Sequence, residues 1–191
     1  MPVALPAMTA ALKVFTADCI VIFAMEKKEE SDSFYDSPVV ADMNGGLFWG
    51  HPWMSGGTWR FKNEEPSHPL MAMFEGKATF SSSDEIYMHA SPAYSREKDH
   101  VLISLDLSDG ATAAAADRWA KSRGADKLRA DRDFAVSWTR RYGAGRVFYT
   151  SFGHDKRAFI DKPRLLHMLA GLQYCLGDLE CPDTPLSDRR N

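Results

Sequence analysis

The chain has 191 residues, 45% hydrophobic and 26% charged, enough apolar material for one buried core and too much for a disordered chain. Its 26 acidic residues outnumber 23 basic ones, which argues against the clustered Lys/Arg surface that nucleic-acid binding requires. No run reaches the roughly 20 apolar residues of a membrane span, and the three cysteines, Cys19, Cys175 and Cys181, form no CxxC pair and suit a reducing compartment.

From the N-terminus, Met1–Ala11 is apolar but lacks the basic lead of a signal peptide, and Pro2 and Pro6 interrupt any helix. Leu12–Met25 reads as a strand. Its centre, Cys19–Ala24, is a continuous apolar run of the kind covered on both faces in a parallel sheet. The charge run Glu26–Glu30 reads as solvated. Pro38–Met43 suits one or two helical turns, which Asn44-Gly45-Gly46 ends. The aromatic stretch Leu47–Trp53 follows, then a turn at Ser55-Gly56-Gly57 and a short strand over Thr58–Lys62. Asn63–Pro69 reads as a loop, and Leu70–Phe74 is too short to predict a helix.

Ala78–Phe80, Glu85–Met88 and His100–Leu107 have strand character, the last with Val101, Ile103 and Leu105 alternating. Gly110–Asp133 reads as a surface insertion with a partial helix over Ala111–Arg123, because it offers few large apolar residues to form a face. Phe134–Trp138 and Arg146–Phe152 form the strongest predicted hairpin, turning at Gly143-Ala144-Gly145. Pro163–Leu176 is a predicted amphipathic helix whose apolar face is Leu165, Leu166, Leu169, Leu172 and Leu176, with Gly177 as its stop. The reading is a single domain over residues 1–182 followed by a polar tail, 183–191.

Three groups of residues carry chemistry. Phe152-Gly153-His154-Asp155 ends a strand, where α/β sheets place ligands. Histidine side chains exchange protons near neutral pH and can ligate metal, and Asp155 can orient His154 or bind a hydroxyl. Equally, the two residues can merely cap the next turn. His51 sits between Gly50 and Pro52, with Trp49 and Trp53 as an apolar wall for a sugar face, or as plugs of the core edge. Ser83-Asp84-Glu85-Ile86-Tyr87 brings two carboxylates, of which an extended backbone turns only one toward a given pocket. That one would be a general base or a metal ligand. His68, in a proline-bounded loop, and Trp138 read as structural, and His89, His100 and His167 as background. The sequence lacks GxSxG, GxCxG, GxGxxG, HExxH and a phosphate loop.

Taken together, Ser31–Tyr35, Gly45–Trp53, Pro66–Leu70, Asp84–Tyr87, Val136–Asp155 and Ala170–Tyr174 resemble the ThuA-like (trehalose-utilisation) family over roughly residues 31–182. The resemblance implies a three-layer α/β fold, flavodoxin-like or class I glutamine-amidotransferase-like. In it a mainly parallel sheet carries an antiparallel hairpin near the C-terminus. It also implies a role in trehalose or keto-sugar metabolism, without the amidotransferase cysteine. Where the family has a strand ending in Gly-x-His, this chain has Met25–Glu30, so it resembles an N-terminally shortened member. The sheet edge so exposed would need a cover, for which a second copy is the candidate.

The functional expectation is a cytoplasmic sugar-active protein. Its acid/base group would be His51, Glu85, His154 and Asp155, and Trp49, Trp53, Asp84 and Tyr87 would contact a small-molecule sugar. The competing expectation is a non-catalytic carbohydrate-binding or interaction module. Neither a cofactor nor a particular metal follows from the residues.

Overall fold

The computed structural model describes residues 14–16, 19–23, 38–90 and 92–187. The apolar start, the charge run at 26–30, the 31–35 stretch and the side chain of Cys19 lie outside the described residues. In chain order the elements are β1 (Val14–Thr16), β2 (Cys19–Phe23), α1 (Pro38–Asn44), β3 (Phe48–Trp53), β4 (Trp59–Asn63), a 3-10 turn (Pro69–Phe74), β5 (Thr79–Ser82), β6 (Ile86–His89) and β7 (His100–Leu105). Then come α2 (Gly110–Arg123), β8 (Ala135–Tyr142), β9 (Gly145–Thr150) and α3 (Lys162–Leu176).

Seven strands form one sheet in the order β1-β2-β9-β8-β7-β4-β5, and β3 and β6 form a separate two-stranded ribbon. The predicted hairpin is present, with Trp138 opposite Tyr149 and Tyr142 opposite Gly145. The predicted mainly parallel sheet is not. Among the described residues only β2 and β9 run parallel, and the pairs β1–β2, β4–β5, β4–β7, β7–β8 and β8–β9 are antiparallel. The apolar run read as a parallel strand does pair parallel, as β2 with β9, but elsewhere in the sheet such a run records burial on both faces and not strand direction. All six residues of β7 are buried, in a strand whose two partners are antiparallel to it.

Helices cover both faces of the sheet. On β8 the neighbours Ser137 and Trp138 point to opposite sides. Ser137 meets His167 of α3 (2.8 Å), while the Trp138 indole N–H donates to the Asn44 carbonyl at the end of α1 (3.0 Å). Under α3, Gly171 lies so close to the Phe148 ring that a Cβ would sit 2.2 Å from it. On the α1 side, Trp138 stacks on Tyr149 at 4.0 Å, and His89 of the ribbon meets both rings edge-on at 5.0 Å.

Two helices differ from their predicted character. The 110–123 segment is no surface insertion. Asp109 caps α2, the Thr112 carbonyl accepts from the Trp53 indole (2.9 Å), and its hydroxyl accepts from Arg60 N (2.9 Å). Ala115 and Ala116 are buried: small residues, rather than large ones, form the packing face. In α3, Leu165, Leu166, Leu169 and Leu176 of the predicted core face point outward, and of that face Leu172 packs against the core. Arg164, His167, Met168, Ala170, Gly171, Tyr174 and Cys175 are buried instead, the side turned inward being the one on which Gly171 lets the helix close onto the Phe148 ring. The segment predicted as a polar tail is held to the body as far as Ser187, whose hydroxyl donates to the Arg96 carbonyl (3.1 Å).

Candidate functional site

Residues 83–87 and 152–155 meet because Asp84 ties them together. Its carboxylate is fully buried and accepts from the backbone N–H groups of Glu85, Gly153 and Asp155, each at 2.9 Å. The Arg164 guanidinium of α3 adds a fourth donor at 3.3 Å. Gly153 takes φ +124° at this junction, a conformation that a Cβ disfavours. Asp84 is therefore the clasp of the site, its oxygens occupied by the protein itself.

Glu85 then faces the opposite way. The β3–β6 register slips between Gly50 and Trp53, so that His51 and Pro52 together oppose Tyr87. Such a bulge tolerates proline and re-aims the side chain beside it. It brings His51 Nδ1 to 3.3 Å from Glu85 Oε1, and the same nitrogen lies 3.1 Å from Met54 Sδ. Across the carboxylate, His154 Nε2 lies 3.7 Å from Glu85 Oε2, an ion-pair distance too long for a hydrogen bond. His154 Nδ1 is 3.3 Å from the Tyr87 hydroxyl. Glu85 is only 5% exposed, against 32% for His51 and 29% for His154. One sunken carboxylate thus serves two imidazoles that remain open to solvent.

An aromatic rim frames the group. Phe48 meets the Tyr87 ring edge-on at 5.1 Å and stacks over His51 at 6.1 Å. Trp119 of α2 tilts over His51 at 5.7 Å, and a Cβ on Gly50 would sit 2.5 Å from its ring. The sequence reading missed Phe48 and Trp119. Trp119 is the one aromatic side chain of a helix whose other apolar residues are all alanines and a glycine, a signal that the sequence carries.

The structure brings His51, Glu85, Tyr87 and His154 together. Trp49, 44% exposed, lies on the same ribbon as His51. Trp53 is fully buried and packs on Phe134 at 4.8 Å, so it belongs to the core and not to a ligand wall. Asp155 turns away from the imidazoles: it accepts from Arg157 N (2.9 Å), caps the 3-10 turn Lys156–Phe159 and pairs with the Arg157 guanidinium. Those bonds pull its carboxyl down to a pKa of about 2.

A metal would find a second cluster better spaced. Among the described residues, Glu65, His68 and His100 bring their ligand atoms within 4.8 Å of one another. However, their ring nitrogens are already engaged. His68 Nδ1 accepts from Leu70 N (3.1 Å) and Nε2 reaches the Pro182 carbonyl (2.8 Å). His100 reaches the Thr184 carbonyl (2.8 Å) and Glu65 (2.9 Å). This cluster holds the C-terminal segment in place. No described helix is long and apolar enough to cross a membrane.

No curated protein matches the sequence. Among solved structures, a ThuA-like protein from Parabacteroides merdae is similar in fold, with a TM-score of 0.51 and 14% identity over 83% of this chain. The match covers 61% of that protein's chain, so the present chain spans about three fifths of it. A family model for trehalose utilisation matches residues 28–175. The chain belongs to the ThuA (trehalose utilisation) family.

Proposed function

We propose that this chain serves carbohydrate metabolism by binding a disaccharide or its keto derivative at His51, Glu85, Tyr87 and His154, and moving a proton there. The observation that carries the reading is the bridging of two part-exposed imidazoles by one sunken carboxylate. Glu85 stabilises whichever imidazole takes a proton, so a proton removed from a sugar hydroxyl, or from carbon beside a ketone, has a nearby acceptor. Tyr87, at His154 Nδ1, steadies that ring with Nε2 turned toward Glu85. Trp49 and the Phe48–Trp119 rim offer the flat apolar surfaces on which sugar rings pack. In this reading the protein works in the cytoplasm.

The test is calorimetry and turnover with trehalose, other disaccharides and their 3-keto forms. Glu85→Gln and His154→Ala should each lower turnover by about 10²-fold or more while shifting the melting temperature by no more than a few degrees. Heat of binding without turnover in the wild type would replace the enzyme reading with a carbohydrate-binding module. Binding unaffected by either substitution would remove this site from the function altogether.

A further inference from the structure

Helix α3 is apolar on both sides. Its inner side packs on the sheet through His167, Met168, Ala170, Gly171, Tyr174 and Cys175. Its outer side carries Leu165 (45% exposed), Leu169 (47%) and Leu176 (45%), with Leu166 beside them and Leu172 part-buried. The turn leading into the helix adds Phe159 and Ile160, the latter 81% exposed. An exposed helix face in water is normally polar, and a helix apolar all round is one that is covered.

We propose that a second copy of this chain covers it, the two α3 helices crossing antiparallel about a two-fold axis near Leu169. Two observations favour a copy over a different partner. First, the exposed Leu165, Leu169 and Leu176 stand 4 and 7 residues apart, intervals that keep them on one helix face, with Leu172 between them turned partly to the core. Second, the charges flanking the seam are self-complementary. Exposed Lys156 and Lys162 stand at its start and exposed Asp178 just past its end, while Glu180 is already paired with Arg146. Lys162 and Asp178 bracket Leu169 at nearly equal distances along the chain. A two-fold axis there sets each lysine beside the other copy's aspartate, as an isologous interface requires. Antiparallel crossing also places opposite helix-dipole ends together.

Light scattering and sedimentation of the whole chain, from about 1 to about 100 µM, should show the mass rising to that of two chains. Leu169→Glu should hold it at one chain with an unchanged circular dichroism spectrum. Lys162→Asp, which opposes like charges twice in one interface, should weaken association about tenfold. Adding Asp178→Lys should restore it. If Leu169→Glu does not fold, the charge pair alone decides. A wild type that stays monomeric throughout overturns the proposal, as does a dimer indifferent to the lysine and aspartate changes.

Discussion

Asp84 and Asp155 are both acidic residues beside the site, yet their surroundings give them different weights. Asp84 is fully buried and satisfies three backbone N–H groups and Arg164. Asp84→Ala would leave three backbone N–H groups without an acceptor, while Arg164 keeps Asp161 and the Ser83 and Arg157 carbonyls, and each buried donor so stranded costs about 1–3 kcal/mol. Urea unfolding should show a loss of that order for Asp84→Ala and a smaller one for Asp84→Asn, which keeps one acceptor oxygen. Asp155 caps a short turn at the surface, so Asp155→Ala should shift the urea midpoint far less than Asp84→Ala. If the two aspartates prove equal, Asp84 is not the clasp. The predicted role of Asp155 as orienter of His154 followed from adjacency in the chain, and the backbone turn at Gly153 sends the two side chains different ways.

At the level of elements, the turn from α1 into β3 shows how tightly the ribbon is set on the sheet. A Cβ on Gly45 would lie 2.5 Å from Asp99 Oδ1 and 2.8 Å from both Arg140 Nη1 and the Trp138 indole nitrogen, and Gly45 has φ +75°. Gly56 also has a positive φ, +90°, but nothing lies within 4 Å of its would-be Cβ. The pair separates two costs. Gly56→Ala should lose about 1 kcal/mol for backbone strain alone. Gly45→Ala should lose a further 1–3 kcal/mol, roughly, for overpacking. Thermal unfolding of the two variants checks this, and equal losses would mean that the Gly45 turn yields freely. Sequence marked both glycines as breakers. Only the fold shows that one of them packs against Trp138 and Arg140 of the sheet.

For the molecule as a whole, buried histidines set the response to acid. His167 bridges three elements: one ring nitrogen lies 2.9 Å from the Leu70 carbonyl and the other 2.8 Å from Ser137 Oγ. Burial pushes its pKa from 6.5 down to about 4, and that of His89 down to about 3. Between pH 6.5 and about 4 the unfolded chain therefore binds protons that the folded one refuses. Their contribution to stability is complete above pH 6.5 and is lost as pH falls through that window. Asp99, pushed up to about 7 by burial, acts with the opposite sign, but it is common to wild type and a His167 variant. Subtracting the urea stability of His167→Gln from that of wild type should thus leave a difference that shrinks by about 1.4 kcal/mol per pH unit on acidification within the window. A difference constant with pH would mean that His167 is protonated in the folded state.

Local chemistry decided much by itself. Gly143-Ala144-Gly145 set the β8–β9 hairpin and Gly177 the end of α3. These rest on interactions within a few residues, which a sequence carries in full. Tertiary structure alone decided strand direction, since burial on both faces leaves the same apolar run in parallel and antiparallel strands. It also decided which side of α3 faces inward, because the deciding contact, Gly171 on Phe148, joins residues far apart in the chain. And it separated Glu85 from Asp84: adjacent carboxylates must point apart, but which one enters the pocket depends on where Gly153 and Arg164 come to rest.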